Sequence, residues 1–341
     1  MPARDILILR GDEVGSLLKG RELDLIDLVG RAYVTHGRGN SSLPHSSFLL
    51  FPHRKRDRII ALPAYLGDQF EVSGIKWIAS FPDNVNQGIE RASAVLILNS
   101  MNTGRPEVIM ESSLISAQRT AASAALAART LHGEVGPTCV GFIGCGPINY
   151  QIAKFILAVW PGTRSFKLFD LSRERADEFG NDCVRLQPEL TIEIADSSET
   201  VLGACPVVSM ATTAATPHIS DLSMCLPNAT ILHVSLRDIS PEAILESTNV
   251  VDDADHVCRA GTSVYLAEQL VGHRDFITAT LAEVLSGEKT IEREQRPVIF
   301  SPFGLGVLDV AVAKLVTTLA VESQVGTVLD SFIPDTTAAR L

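Results

Sequence analysis

A glycine turn that lies nearly halfway along the 341 residues constrains the fold of this chain more than any other feature. The apolar run 138–143 predicts a buried strand, and residues 148–160 predict the helix that follows it. Between them, backbone amides are free to approach a pyrophosphate, and the helix N-terminus adds positive potential. The sequence therefore predicts a dinucleotide-binding βαβ unit whose turn binds the cofactor through Gly144, Cys145, Gly146, Pro147 and Ile148.

The second strand of this unit indicates which dinucleotide binds. The strand 166–169 ends in Asp170, close to the spacing of about 20 residues expected for the acid that holds a ribose hydroxyl. A carboxylate there favours NAD over NADP because it repels the extra 2′-phosphate, although Arg173 and Arg175 follow closely and weaken that preference. The third glycine of the motif is replaced by Asn149, so an ordinary strand-to-helix turn is the alternative. We predict NAD as the cofactor.

Composition excludes several classes of partner. A net charge of −11 argues against nucleic acid and against anionic membrane surfaces. The most apolar window, 139–160, is interrupted by the glycine turn and by Pro147, so no membrane span is expected. Charged residues at 10, 12 and 13 break any signal-peptide core. Six cysteines without CxxC pairing or metal-type spacing predict reduced thiols, no metal site and a cytoplasmic protein.

The late position of the turn predicts two domains, because the roughly 130 residues that precede it are enough to form a separate domain. From 138 to about 299, strands and helices alternate, as a doubly wound parallel sheet requires. We therefore predict an α/β fold: an NAD-binding Rossmann domain over 131–302, and an α+β substrate-binding and dimerisation domain built from 1–130 and 303–341. The predicted elements outside the glycine-turn unit are helices 23–37, 112–131 and 307–322, and strands 47–51, 58–63, 74–81, 92–99, 107–110, 207–210, 231–236 and 249–252.

Three polar residues stand where chemistry is expected. Lys76 lies in a strand so apolar that the lysine must have a partner or border a cavity, unless the strand end reaches solvent. Arg119 sits among small residues of a helix, either as a buried structural clamp or as a bidentate carboxylate holder. Asp238 follows a strand at the edge where such sheets bind ligands, although Ser240 and Pro241 after it also suit a turn acid before a helix. Two cations and one acid near a nicotinamide suit the oxidation of an amino acid.

Several stretches resemble the ornithine cyclodeaminase/mu-crystallin family. They are Thr103-Gly104-Arg105-Pro106, the helix 114–124 around Arg119, the late Gly-x-Gly and the run 303–311, and together they span nearly the whole chain. Within the family, the amino-acid sequence of segments 44–49, 92–100 and 143–149 is most similar to the dehydrogenases that make 2,3-diaminopropionate for siderophore or peptide antibiotic biosynthesis. The resemblance implies a homodimer in which the first domain forms the interface.

The resemblance also implies roles for individual residues. Lys76 corresponds to the lysine that contacts the substrate carboxylate at the catalytic site, Arg119 to the arginine that pairs with that carboxylate, and Asp238 to the catalytic acid–base residue. Gly144, Gly146 and Asp170 take the dinucleotide roles. The positions that border the nicotinamide end are matched by Thr212 and Phe303.

The implied reaction is NAD-dependent oxidative cleavage of N-(2-amino-2-carboxyethyl)-L-glutamate to 2,3-diaminopropionate and 2-oxoglutarate. Its three carboxylates need further cations, for which Arg237 and His45 are candidates; the basic turn 53–56 is better explained as a solvated hairpin. Many cyclodeaminases carry an arginine where this chain reads Pro44-His45-Ser46, which argues against an ornithine pocket. The alternatives are an ornithine cyclodeaminase that makes proline and ammonia, an alanine or opine-type dehydrogenase, and a non-catalytic binder of nucleotide and small ligand like mu-crystallin.

Overall fold

The computed structural model of the chain describes residues 4–292 and 294–334, except for the side chain of Lys55. The ends of the predicted first domain and the Lys55 side chain of the predicted basic turn lie outside the described residues. The strands are β1 (Ile6–Leu9), β2 (Ser41–Ser42), β3 (Ser47–Phe51), β4 (Arg54–Leu66), β5 (Val72–Ser80), β6 (Ala92–Asn99), β7 (Pro106–Glu111), β8 (Cys139–Ile143), β9 (Ser165–Phe169), β10 (Thr191–Ile194), β11 (Val207–Met210), β12 (Thr230–His233), β13 (Thr248–Val251), β14 (Ile277–Thr280), β15 (Val298–Ser301) and β16 (Thr327–Leu329).

Helices connect these strands, and the three longest, at 22–37, 113–132 and 306–322, are ones that the sequence predicts. They are α1 (Gly11–Leu18), α2 (Glu22–Gly37), α3 (Ser113–His132), α4 (Pro147–Val159), α5 (Arg173–Leu186), α6 (Ser198–Ala204), α7 (Pro241–Leu245), α8 (Ala254–Val257), α9 (Ser263–Val271), α10 (Leu281–Leu285) and α11 (Gly306–Glu322), with a short 3-10 helix at Pro82–Gln87. Within the described ranges, no helix combines the length and the apolar character that crossing a membrane requires.

The chain divides into two compact units. Of the described residues, the first contains 4–21, 35–119 and 305–334, and the second contains 22–34, 120–292 and 294–304. Each unit has its own sheet. The functional division into a substrate-binding and dimerisation domain and an NAD-binding domain stays a prediction.

The first unit is built on a mostly antiparallel sheet in the order β16-β1-β7-β6-β5-β4-β2, with β3 paired to β4. Side chains alternate between its faces, and Leu62 and Lys76 lie opposite one another on a face that also buries Ala64. Helix α11 packs on β4, β5 and β6. It approaches closely at Gly306, where an added Cβ would lie 3.3 Å from the Cβ of Ala64. We call the side of the sheet that carries Lys76 the inner face.

The opposite side of this sheet, the outer face, is apolar and reaches solvent in the isolated chain. Leu49 pairs with Ile59, and Trp77 pairs with Ala61 and Val95, so these five side chains share this side. Trp77 is 41% exposed and Leu49 is 47% exposed. An apolar sheet face of this kind is unusual for a monomer and is typical of an interaction surface.

The second unit is a doubly wound parallel sheet in the order β10-β9-β8-β11-β12-β15-β13-β14, with all its strand pairs parallel. Strands β11, β12 and β15 are buried along their whole length, as expected for strands covered on both faces. This unit confirms the predicted Rossmann fold, and the first unit confirms the α+β part.

One predicted strand is shorter than expected. The apolar run 231–236 predicts a strand to Leu236, but β12 ends at His233 and Leu236 adopts the left-handed conformation with φ 67°. A leucine, which is not branched at Cβ, adopts that conformation only at a local cost. The early end of β12 turns the chain so that Asp238 points back into the buried interior of the unit.

Candidate functional site

The glycine turn joins β8 to α4 in a conformation that only glycine fits. Gly144 has φ 86°, and an added Cβ would lie 2.7 Å from the carbonyl oxygen of Ala211. Gly146 caps α4, Pro147 occupies its first turn, and the space beside Gly146 is open for at least 4 Å around an added Cβ. A half-buried, amide-rich turn with room beside Gly146, at the start of a helix, fits a pyrophosphate.

Asn149, which replaces the third glycine, is a structural clamp for this turn. Its buried side-chain amide donates hydrogen bonds to the carbonyl oxygens of Ile143 at 3.0 Å and Gly144 at 2.6 Å. Its side-chain oxygen accepts a hydrogen bond from Ser209 Oγ at 2.7 Å. The departure from the glycine motif therefore holds the turn in place instead of weakening it.

Asp170 lies directly against the glycine turn. Its Oδ2 accepts a hydrogen bond from the backbone N–H of Cys145 at 2.8 Å, and its Oδ1 accepts one from Ser172 N at 2.9 Å. Arg175 approaches Oδ1 at 3.9 Å from the surface. Burial, followed by the charge of Asp170, raises the pKa of the Cys145 thiol to about 12, so Cys145 is a small neutral residue and not a nucleophile.

Asp238 is the centre of a buried polar cluster in the second unit. Ser235 Oγ and Thr212 Oγ1 donate short hydrogen bonds to its two carboxylate oxygens. His233 Nε2 lies 3.3 Å from Oδ2 and 3.2 Å from the backbone N of Asp238. Burial raises the pKa of Asp238, but hydrogen bonding and charge from His233, with the two hydroxyl groups, more than offset burial and hold the pKa at about 2. Asp238 is therefore an ionised carboxylate, the form that accepts a proton.

Sequence reasoning missed a second buried acid of this unit, Asp252. It follows β13, and its oxygens accept hydrogen bonds from Phe303 N at 2.9 Å and Gly304 N at 2.7 Å. Burial raises its pKa to about 6 against the effect of these backbone donors. Asp252 thus fixes the backbone of Phe303. The signal for it was its place at the end of the predicted strand 249–252.

Lys76 and Arg119 meet at one carboxylate in the first unit. Lys76 Nζ lies 2.8 Å from Asp309 Oδ2 and 3.1 Å from Ser116 Oγ, and Arg119 Nε lies 3.2 Å from Asp309 Oδ1. Lys76 is 2% exposed, so the alternative of a lysine that reaches solvent at a strand end is wrong. Asp309 was not assigned a role from the sequence, because a single acid in an apolar helix gives no sign of which cations it meets.

These three side chains, which we call the cation cluster, carry an excess of one positive charge. Two cations face one carboxylate in a buried place. Burial lowers the pKa of Lys76 to about 8. The negative charge of Asp309 opposes this lowering, and the positive charge of Arg119 adds to it. Since an uncompensated buried charge is costly, the cluster favours the arrival of one further anion. A carboxylate suits it, because lysine and arginine both donate to carboxylate oxygens.

The two remaining predicted substrate residues lie in different units. His45 is exposed in the segment before β3, in the first unit. Arg237 is half-buried in the second unit, and its Nη2 donates a hydrogen bond to the carbonyl oxygen of Ala260 at 2.8 Å. Their roles toward a substrate stay predictions. Across the described residues, no three metal-ligating side chains gather as a metal site would require.

Comparison with known proteins connects this geometry to one family. The profile of the ornithine cyclodeaminase/mu-crystallin family matches residues 7–324. An N-((2S)-2-amino-2-carboxyethyl)-L-glutamate dehydrogenase of Staphylococcus aureus is 26% identical over 336 residues, covering 96% of this chain and 99% of its own length. An alanine dehydrogenase of Archaeoglobus fulgidus is 28% identical over 337 residues, with coverage of 96% and 99%. A solved archaeal alanine dehydrogenase dimer with bound NAD has a TM-score of 0.84 at 25% identity, and covers 96% of this chain and 99% of its own.

Proposed function

We propose that this chain, which belongs to the ornithine cyclodeaminase/mu-crystallin family and is an NAD-dependent amino-acid dehydrogenase, acts on N-(2-amino-2-carboxyethyl)-L-glutamate. The single observation that carries this proposal is the cation cluster, whose excess positive charge suits one carboxylate of an amino acid. The relative from Staphylococcus aureus supports the choice of the glutamate conjugate.

In the proposed reaction, the conjugate, NAD⁺ and water give 2,3-diaminopropionate, 2-oxoglutarate, NADH and a proton. The nicotinamide, when bound, supplies the hydride acceptor for the hydrogen on Cα of the glutamate part. Lys76 and Arg119 hold the carboxylate on that carbon, which fixes the direction of its C–H bond. Asp238, ionised among its hydroxyl donors, takes the proton from the secondary amine or from the water that hydrolyses the imine.

The inner face disfavours the alternative substrate ornithine. Lys76 is opposite Leu62 on one side and Leu96 on the other, and Ile60 and Arg58 follow Leu62 along β4 on the same face. At their described positions, β4, β5 and β6 place no acidic side chain on this face. Ornithine has a second ammonium group and no second carboxylate, whereas the conjugate has two further carboxylates besides its second ammonium group, so a face with cations and no acid favours the conjugate.

The decisive experiment incubates purified protein with NAD and either the conjugate or ornithine, and follows nicotinamide absorbance. With the conjugate we expect NADH to accumulate in step with 2-oxoglutarate and 2,3-diaminopropionate, both measured by mass spectrometry. With ornithine we expect neither NADH nor proline. Formation of proline without net NADH, together with no NADH from the conjugate, would replace this function by cyclodeamination. Under our proposal the enzyme works in the cytoplasm, and its product enters siderophore or peptide antibiotic biosynthesis.

We also propose that two copies of the chain associate through the outer face. Its exposed apolar side chains, including Leu49 and Trp77, need a cover, and the archaeal alanine dehydrogenase of similar fold was solved as a dimer. A second copy offers an identical apolar surface, which is what an isologous interface requires.

Replacing Trp77 with lysine is expected to convert the dimer to a monomer, because each interface would then bury two unpaired ammonium groups. Leu270→Lys is the matched control, since Leu270 is 56% exposed and lies in the second unit. Sedimentation velocity measures both variants against the parent protein. A dimer that persists in Trp77→Lys would place the interface elsewhere.

A further inference from the structure

We propose that Arg58 and Arg91, which we call the arginine pair, form a second anionic subsite that binds the two substrate carboxylates left over by the cation cluster. The inference rests on the proposed function, because it names the residues that select a tricarboxylate substrate. Both arginines belong to the first unit, as does the whole cation cluster.

Strand register places Arg58 on the inner face, beyond Lys76. Arg58 pairs with Ser80, which lies four residues from Lys76 on β5, so that the three side chains point to the same side. At about 3.3 Å per residue, Lys76 and Ser80 are separated by about 13 Å along the strand. Arg58 therefore starts about 13 Å from Lys76 along the sheet and its side chain lies on the same face.

Arg91 lies at the same end of the sheet. It directly precedes Ala92, which pairs with Ser80, and its carbonyl oxygen accepts a hydrogen bond from Phe81 N at 2.8 Å. Partial burial, and then the positive charge of Arg58, lower the pKa of Arg91. The two guanidinium groups are thus close enough to repel each other.

Among the described residues, neither arginine of the pair has a carboxylate at ion-pair distance. The neighbouring arginines of β4 differ, because Arg54 lies 3.7 Å from Asp57 and Arg56 lies 3.0 Å from Asp83. A chain with a net charge of −11 has many acids available, yet no acid in the part of the chain that the structure describes lies within ion-pair distance of this pair. Two like charges side by side without a counter-ion favour an incoming anion with more than one negative charge.

The charges match the substrate. The cation cluster has one excess positive charge and the arginine pair has two, which together balance the three carboxylates of the conjugate. The carboxylate on the oxidised carbon is four or five bonds from each of the other two carboxylates, which places it about 5–6 Å from them at bond lengths of about 1.5 Å. Lys76 and Arg58 start about 13 Å apart, and their long side chains can extend toward each other until their charged ends are separated by that distance. The carboxylate on the oxidised carbon then binds the cation cluster, and the other two bind the arginine pair.

The test measures steady-state kinetics for Arg58→Gln and Arg91→Gln, with Arg56→Gln as the matched control from the same strand. Each variant of the pair is expected to raise the KM for the conjugate by about tenfold or more, because it loses a charge-assisted hydrogen bond, and to change kcat by less than about threefold. Arg56→Gln, whose side chain is exposed and already paired, is expected to keep the parent KM. Unchanged KM values in both pair variants would overturn the proposal.

A binding measurement separates this inference from the proposed function. Calorimetry measures propane-1,2,3-tricarboxylate and, for comparison, propionate, each added to the protein loaded with NADH. We expect the arginine variants to weaken the tricarboxylate by about tenfold and to leave propionate unchanged. If the parent protein does not oxidise the conjugate but this pattern holds, the arginine pair stands and the substrate proposal fails. If the conjugate is oxidised and tricarboxylate binding is the same in all variants, the pair is wrong and the substrate proposal stands.

Discussion

Replacing Asp238 with asparagine is expected to reduce kcat by about 10²- to 10⁴-fold and to leave NAD binding unchanged. The amide has almost the same shape as the carboxylate, but it cannot accept a proton. Thr212 and Ser235 donate to the two carboxylate oxygens, and the asparagine retains one of these two acceptors. We therefore expect the variant to lose catalytic activity and to keep its fold. Steady-state turnover and NAD titration by fluorescence measure the two effects separately.

Ser235→Ala is the control for this variant, because it removes one donor and retains the acid. Since Ser235 helps to lower the pKa of Asp238, the variant should raise that pKa and move the acidic limb of the pH–rate profile to higher pH. Its turnover near neutral pH should stay close to that of the parent. If Asp238→Asn retains most of its activity, the acid–base role belongs to another group.

Replacing Asp309 with asparagine is expected to destabilise the first unit strongly. Lys76 and Arg119 would remain buried without their shared carboxylate, and breaking such a pair costs about 3–5 kcal/mol. The midpoint of denaturant-induced unfolding, followed by circular dichroism, measures this loss.

Lys76→Met is the informative comparison for Asp309→Asn. It leaves Arg119 and Asp309 as a balanced pair and replaces a buried ammonium by an apolar chain of similar length. We therefore expect a much smaller loss of stability, together with weaker binding of carboxylate ligands. Equal destabilisation by both variants would contradict the view that excess positive charge distinguishes this cluster.

The features that local sequence could predict are those that a short stretch fully determines. The glycine turn, its strand and its helix lie within about twenty residues, so their pattern is visible in sequence. Lys76 could be recognised because its own strand is apolar on both sides. The family could be recognised from stretches spread over the chain, and the match over residues 7–324 confirms it.

The features that sequence could not predict depend on contacts between distant segments. Asp309 lies 233 residues from Lys76, and only the packing of α11 on the sheet brings them together. Arg58 and Arg91 become neighbours through the register of three strands. Strand β1 was missed because it is short and is held in place by hydrogen bonds to β7 and to β16, which lies near the far end of the chain.

The cation cluster also has a consequence for how the protein is made. Its members occupy positions 76, 119 and 309, so a chain emerging from the ribosome carries both cations long before the carboxylate that joins them. The second unit, whose strands all lie between 139 and 301, is complete in sequence by then and can fold while the first waits for α11. The order of translation therefore makes assembly of the cation cluster one of the last steps in the folding of each chain.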